Sequence, residues 1–195
     1  MPIAEFMKSA ANAADFPADT GREVAFVGRS NSGKSTAVNV VAGARKLARV
    51  SKTPGRTQLL NFFTFGEGRR LVDLPGYGFA RAAPQVQARW EKSLEAYLSS
   101  RASLAGLIVT MDIRRGMTRL DEQLLRWLES RREVPVAVLL TKADKLSREA
   151  GVAQERALGA ALGPQVRVTR FSALSGDGVD AARAWIEARL SGDQE

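Results

Sequence analysis

The sequence has 195 residues, of which 45% are hydrophobic and 26% are charged, proportions typical of a globular protein with an apolar core. Cysteine and histidine are both absent, which excludes disulfides, thiolate and imidazole metal sites, and serine-histidine catalytic triads. The formal net charge of +8 predicts attraction to polyanions such as nucleic acid or an anionic membrane surface.

The predicted elements alternate between strands and helices. Strands are predicted where short apolar runs meet turn residues, and helices where apolar residues recur every three or four positions. In chain order we predict a strand at 23–27, a helix at 34–47, strands at 59–65 and 70–73, a helix at 84–100, a strand at 104–112, a helix capped by Thr118, a strand at 134–141, a helix at 147–162, a strand at 165–171 and a helix at 179–190.

This alternation predicts a three-layer α/β fold with a mostly parallel sheet of about six strands. Gly66 and Gly68 between the second and third strands indicate a hairpin, so one edge strand is expected to be antiparallel. We expect residues 1–22 to form an N-terminal extension and residues 23–195 to form a single domain. No apolar stretch reaches the ~20 residues of a membrane span, and no signal peptide is recognisable.

A phosphate-binding loop is predicted at residues 28–35, GRSNSGKS, which match G-x-x-x-x-G-K-[ST] between a strand and a helix. The glycines let the backbone curl around phosphates, whose oxygens meet successive N–H groups and the helix N-terminus. Lys34 would place its charge between the β- and γ-phosphates, and the Ser35 hydroxyl would bind Mg²⁺. The residues assigned to phosphate binding are Gly28, Arg29, Ser30, Asn31, Ser32, Gly33, Lys34 and Ser35.

Asp73 and Gly76, in the segment DLPG, follow the second strand of the predicted hairpin. After a phosphate loop, a carboxylate in this place is expected to hold the Mg²⁺ shell, and the glycine brings its N–H close to the γ-phosphate. On its own the segment is also compatible with an ordinary turn. Its position in the chain therefore favours the nucleotide-binding interpretation.

Thr141, Lys142 and Asp144 end another buried strand, at the edge of an open α/β sheet where ligands dock. The Asp144 carboxylate can accept both guanine N1–H and the exocyclic amine, whereas adenine has no donor at N1 and would leave it unpaired. The stem of Lys142 would cover the base plane. Ser172 and Ala173, after the last strand, would add backbone N–H groups near guanine O6.

A basic cluster begins in the last turn of the first predicted helix and continues toward the hairpin, within twelve residues that contain no carboxylate. Such a cluster favours contact with a polyanion, although a solvated surface would have the same composition. Aromatic residues for base stacking are missing from it, so backbone contacts rather than sequence readout are expected. Its members are Arg45, Lys46, Arg49, Lys52 and Arg56.

The motifs together resemble the EngB family, also called YihA or YsxC, of Era-like bacterial GTPases in the translation-factor-related class. The resemblance covers about residues 5–190 and rests on GRSNSGKS, TPGRTQ at 53–58, DLPGYGFA at 73–80, TKADKL at 141–146 and FSALSGDGVD at 171–180. It implies a P-loop GTPase that acts in assembly of the large ribosomal subunit and is linked to normal cell division and septation. The place of the basic cluster, just before TPGRTQ, suggests ribosomal RNA as its partner. We expect a cytoplasmic monomer that does not bind membranes.

The resemblance also implies roles for individual residues. Gly55 and Arg56 belong to the first switch, and Thr57 joins Ser35 and Asp73 in holding Mg²⁺; spacing alone would also allow Thr53. GTP and GDP are the expected ligands. The implied catalytic residues are Lys34, Thr57 and Asn31.

Tyr77 follows Gly76, where many small GTPases have a glutamine that orients the attacking water. A phenol cannot orient water in the same way, so slow intrinsic hydrolysis is expected, on the order of 10⁻⁴ s⁻¹. Related GTPases with asparagine at the position of Asn31 coordinate K⁺ through it, which would stabilise developing charge. Alternatively, Asn31 only shapes the turn.

Two other classes of protein share part of this pattern. A P-loop kinase would carry residues 28–35 but has no reason to carry TKAD or TPGRTQ. A non-hydrolysing, GTP-gated RNA-binding module would be compatible with Tyr77. Selectivity for guanine over adenine nucleotides distinguishes the GTPase from the kinase. Multiple-turnover release of phosphate distinguishes the GTPase from the non-hydrolysing binding module.

Overall fold

Strands and helices alternate in the computed structural model, which describes residues 3–44, 47–48, 59–77, 92, 94–129 and 134–192. The strands are β1 (Glu5–Ala10), β2 (Arg22–Gly28), β3 (Leu60–Thr64), β4 (Arg69–Asp73), β5 (Leu104–Asp112), β6 (Val136–Thr141) and β7 (Arg167–Arg170). The helices are α1 (Lys34–Val41), α2 (described over 94–100), α3 (Arg119–Glu129), α4 (Arg148–Leu162) and α5 (Val179–Ser191), with short 3₁₀ turns at Ala13–Asp15 and Ala143–Lys145.

The seven strands form one sheet in the order β1-β3-β4-β2-β5-β6-β7. Strands β4, β2, β5, β6 and β7 run parallel, and β3 is antiparallel to both of its neighbours. The predicted α/β class and the hairpin are therefore confirmed. The strand beyond the expected six is β1, which lies inside the predicted N-terminal extension. Most of its side chains are exposed or half-buried, so no alternation of apolar and polar residues marks it in the sequence.

Apolar layers cover both faces of the sheet, as the predicted three-layer architecture requires. Successive β2 residues point to opposite faces: Val24 and Phe26 pack with α1 and α5, while Ala25 and Val27 pack with α2, α3 and α4. Trp185 lies within one of these layers, and the partly buried Trp127 packs against the other. Trp90 and the start of the helix predicted at 84–100 lie outside the described residues.

Helix α1 ends at Val41, six residues before its predicted end. The left-handed backbone of Gly43 (φ 68°) is incompatible with continuing the helix. The Asn39 side chain then binds the chain on its return, because its amide nitrogen donates to Ala48 O at 2.9 Å and its oxygen accepts from Ala48 N at 2.6 Å. The predicted helix was too long because apolar residues continue at roughly helical spacing beyond this turn.

Four parallel strands have their carboxyl ends on the same side of the sheet, and the predicted site lies on that side. Strand β2 ends at Gly28, β4 at Asp73, β5 at Asp112 and β6 at Thr141. Carboxyl ends of parallel strands are where open α/β sheets bind ligands. Within the described part of the chain, no helix combines the length and apolar character needed to cross a membrane.

Candidate functional site

The predicted phosphate loop joins β2 to α1 and has a backbone that glycine makes possible. Gly33, immediately before α1, has φ 89°, and Asn31 has φ 64°. A Cβ on Gly28 would lie 2.1 Å from the Thr110 Oγ1 atom, so no larger residue fits where the loop leaves the strand. These conformations expose the N-terminus of α1 to a ligand at the sheet edge.

Ser32 anchors the loop to the ends of two neighbouring strands. Its hydroxyl is hydrogen-bonded to that of Thr110 at 2.7 Å, and its carbonyl accepts a hydrogen bond from the Thr141 hydroxyl. Thr141 begins the segment TKAD that we predict to bind the guanine base, and its side chain is directed at the phosphate loop. Ser32, Thr110 and Thr141 are all buried, so these bonds are protected from water.

Lys34 and Asp73 bring opposite charges together beside the loop. The Lys34 ammonium donates to the Asp73 Oδ1 atom, and the two residues are only 8% and 1% exposed. Gly76 lies close by, where an added Cβ would be 3.3 Å from Gly28 O. The structure thus places Lys34, which is predicted to bind phosphate, in contact with Asp73, which is predicted to hold Mg²⁺. A terminal phosphate at that point would compete with Asp73 for the ammonium group.

Asp144 and Ser172 form the predicted base-recognition end. The Ser172 hydroxyl donates to Asp144 Oδ1 at 2.8 Å, and Lys145 Nζ lies 3.1 Å from Oδ2. The hydrogen bond from Ser172 and that from Lys145 lower the pKa of the Asp144 carboxyl, so the group is an anionic acceptor at neutral pH. Ala173 is exposed next to this pair. The structure therefore brings these predicted residues together.

Lys142 connects the base end to the phosphate loop. It has a left-handed backbone, φ 59°, and its ammonium donates to Asn31 O and to Asp112 Oδ2, each at 2.8 Å. Asp112 also accepts two hydrogen bonds from the Arg114 guanidinium, at 2.9 and 2.7 Å. The bond from Arg114, followed by that from Lys142, lowers the pKa of the Asp112 carboxyl well below its usual range.

Sequence reasoning did not include Asp112 in the site. The signal that could have found it is an acidic residue at the carboxyl end of a buried strand, because that position places it at the ligand-binding edge. Its role here is to hold the Lys142 side chain across the space between the two loops.

Several predicted site residues lie outside the described residues, so their assignments stay predictions. They are Gly55, Arg56 and Thr57 of the predicted first switch, the alternative Thr53, and Arg45, Lys46, Arg49 and Lys52 of the basic cluster.

The donors available for a metal ion are few. In the described ranges no group of three or more histidine, cysteine or acidic residues could hold one. Two described oxygen donors carry the predicted metal chemistry: the half-buried Ser35 hydroxyl, in the first turn of α1, and the buried Asp73 carboxylate. Oxygen donors of this kind suit Mg²⁺, which binds through one or two protein groups together with phosphate and water.

Residues 23–142 match the family described as 50S ribosome-binding GTPase. The chain is 47% identical over 190 residues to the probable GTP-binding protein EngB of Enterobacter sp. (strain 638), with 96% of this chain and 91% of that protein covered. It is 48% identical over 198 residues to the probable GTP-binding protein EngB of Vibrio vulnificus (strain YJ016), with 97% and 91% covered.

Solved structures of other proteins share the fold. A crystal structure of a probable GTP-binding protein engB matches with a TM-score of 0.69 at 23% identity, over 87% of this chain and 99% of that one. The crystal structure of Era in complex with MgGDPNP and nucleotides 1506-1542 of 16S ribosomal RNA matches with a TM-score of 0.68 at 20% identity, over 86% of this chain and 56% of that one. At these identities the likeness shows a common fold.

Proposed function

The chain belongs to the EngB family of GTP-binding proteins and is a GTPase, and from this premise we propose that its cycle of GTP binding and hydrolysis serves assembly of the large ribosomal subunit. The observation that carries the proposal is the match of residues 23–142 to a family described as binding the 50S ribosome. Membership of a GTPase family excludes the kinase and the non-hydrolysing module. The proposal includes action as a cytoplasmic monomer, with normal cell division and septation depending on ribosome supply.

The phosphate end of the site fits a magnesium nucleotide. Ser35 and Asp73 would hold the ion together with Thr57, and the ion would neutralise charge on the β- and γ-phosphates. Lys34 supplies a second positive charge there, and its ion pair with Asp73 places that ammonium beside the loop. The bond from Lys142 to Asn31 O holds the base end at a set distance from the phosphate end.

Hydrolysis is expected to be slow without a partner, because the side chain after Gly76 cannot orient water. The Tyr77 hydroxyl donates to Asp121, so its polar atom is occupied elsewhere. The proposal assigns a supporting role to K⁺ held by Asn31, whose side chain is exposed in the phosphate loop. When bound there, K⁺ would stabilise charge that develops on the phosphates.

The K⁺ proposal is tested by phosphate release in KCl and in NaCl of equal concentration. We expect faster release in KCl, and we expect the difference to disappear in Asn31→Gly. Glycine is the matched replacement because it adopts the left-handed φ of 64° without strain. Equal rates in both salts would remove K⁺ from the mechanism while leaving the GTPase assignment intact.

Ribosome association is tested by sedimentation with purified subunits in GDP, in a non-hydrolysable GTP analogue and without nucleotide. We expect co-sedimentation with the large subunit that depends on the GTP analogue. The basic cluster leads into the predicted first switch, and the γ-phosphate would order that switch together with the cluster. Association independent of nucleotide, or absent in all three states, would contradict the proposal.

The basic cluster is tested by charge reversal with a matched control. The test variant is Arg45→Glu with Arg49→Glu, and the control is Arg156→Glu with Arg167→Glu, which makes the same charge change at exposed positions in α4 and β7. We expect the test variant to bind the large subunit roughly tenfold more weakly with a shallower salt dependence, and the control to bind nearly as the wild type. Equal losses would mean that net charge alone governs binding.

A further inference from the structure

The side chain of Tyr77 is turned into the apolar layer between the sheet and α3. The residue is only 5% exposed, and its hydroxyl donates to the Oδ1 atom of Asp121, which is itself 2% exposed. Burial, together with the negative charge of Asp121, raises the pKa of the Tyr77 phenol far above its usual value. The hydroxyl therefore remains a hydrogen-bond donor throughout the physiological pH range.

Asp121 is a rigid acceptor because its second oxygen is also occupied. Its Oδ2 atom accepts hydrogen bonds from Thr118 N at 2.7 Å and from Thr118 Oγ1 at 2.6 Å, and Thr118 Oγ1 in turn lies 3.5 Å from Asp121 N. This is the reciprocal pattern of a capping box at the start of α3. The phenol is thus bonded to the fixed end of a helix.

The backbone of Tyr77 is bonded to the phosphate loop on its other side. Its N–H donates to Gly28 O at 3.1 Å, and its carbonyl accepts from Ser30 N at 2.9 Å. Gly76 is therefore held against the loop, and an added Cβ there would be 3.3 Å from Gly28 O and 3.4 Å from Ser30 N. Tyr77 spans the gap between the phosphate loop and α3, with Gly76 immediately beside it.

We propose that Tyr77 is a positioning residue whose hydrogen bond to Asp121 holds Gly76 beside the phosphate loop, where the Gly76 N–H distinguishes GTP from GDP. The inference rests on the proposed assignment of Gly76 to the γ-phosphate. Tyr77 stands where many small GTPases have a glutamine that orients the attacking water. Its role here is to increase the preference for GTP over GDP, and it does not orient water. Its effect falls on the triphosphate alone, because GDP has no group for Gly76 to meet.

The test is Tyr77→Phe, which keeps the buried ring and removes only the hydroxyl. Dissociation constants are measured by titration for a non-hydrolysable GTP analogue and for GDP. We expect the affinity for the analogue to fall ~10-fold and that for GDP to change by less than about twofold. Equal losses for both nucleotides, or no loss for either, would overturn the proposal.

Asp121→Asn provides a second, independent route to the same bond. Because the two side chains form one interaction, the loss of analogue affinity in the double variant Tyr77→Phe with Asp121→Asn should be less than the sum of the single losses. Fully additive losses would overturn the proposal. The control Ser147→Ala removes the cap hydroxyl of a different helix, α4, where Ser147 Oγ accepts from Ala150 N at 3.2 Å, so we expect destabilisation with an unchanged ratio of affinities. A ratio shifted as in Tyr77→Phe would assign the effect to general destabilisation and would overturn the proposal.

A further variant separates failure of this inference from failure of the underlying assignment. Gly76→Ala crowds the phosphate loop directly. If Gly76→Ala lowers the preference for the analogue and Tyr77→Phe does not, the positioning role of Tyr77 is wrong and the assignment of Gly76 stands. If neither variant changes the preference, the assignment of Gly76 to the γ-phosphate is itself wrong.

Discussion

Replacement of Glu23 by glutamine should destabilise the fold without weakening nucleotide binding. Glu23 begins the buried part of β2 and is 0% exposed. Its carboxylate accepts hydrogen bonds from Arg70 at 2.6 Å, from Arg101 at 2.7 and 3.0 Å, and from the Tyr97 hydroxyl at 2.8 Å. One buried carboxylate therefore compensates two guanidinium groups whose side chains are 10% and 5% exposed.

The expected loss follows from this burial. Glu23→Gln keeps the shape of the side chain, but it leaves Arg70 without its carboxylate partner and leaves Arg101 with the more distant Asp19, whose Oδ1 lies 3.6 Å from the Arg101 Nε. Removing one partner of a buried ion pair costs about 3–5 kcal/mol, because the remaining charge is desolvated without compensation. In a protein of this size each kcal/mol lowers the melting temperature by about 2–4 °C, so a decrease of about 6–20 °C is expected.

The assay is thermal and urea unfolding followed by circular dichroism, with Glu187→Gln as the matched control. Glu187 pairs with Arg69 at 2.5 Å, but these side chains are 39% and 33% exposed, so the control should lose at most about 1 kcal/mol. Equal losses for the two variants would refute the reasoning that burial sets the cost of breaking these pairs.

The nucleotide affinity of Glu23→Gln provides a second check. Glu23 and the phosphate loop lie near opposite ends of β2, a strand of seven residues. With a rise of about 3.3 Å per residue, the perturbed pair is on the order of 15–20 Å from the loop. We expect the GDP affinity of the folded variant to equal that of the wild type, measured well below its melting temperature.

Three further predictions concern the site itself. Asp144→Asn should change the preference between GTP and xanthosine triphosphate by roughly 10²-fold or more in favour of the latter, because the new amide would face two guanine donors. Continued selection for GTP in competition titrations would contradict the assignment of Asp144 to guanine recognition. Lys34→Met should abolish GTP binding by calorimetry and lower the free energy of unfolding by about 3 kcal/mol, because Asp73 stays buried without its cation; an unchanged denaturation midpoint would contradict this. Gly28→Ala would place a Cβ 2.1 Å from Thr110 Oγ1, so we expect loss of GTP affinity in a protein whose far-UV spectrum is nearly unchanged.

The sequence by itself determined the phosphate loop and the fold class. The loop is a contiguous segment whose conformation follows from short-range sterics, with Gly33 at φ 89° where a side chain would be strained. The alternation of apolar strands with amphipathic helices likewise depends on local patterns, so it predicted most of the elements. The edge strand β1 escaped prediction because most of its side chains are exposed or half-buried and pairing with β3 alone defines it.

Only the tertiary structure decided which side chains support the site. Lys142 meets Asp112 across 30 residues of chain, and Tyr77 meets Asp121 across 44. Such pairs depend on the order of strands in the sheet and on where each helix begins, and neither leaves a periodic signal in the sequence. Local sterics and hydropathy are encoded within a few residues, whereas the partner of a buried polar group is set by the packing of distant segments.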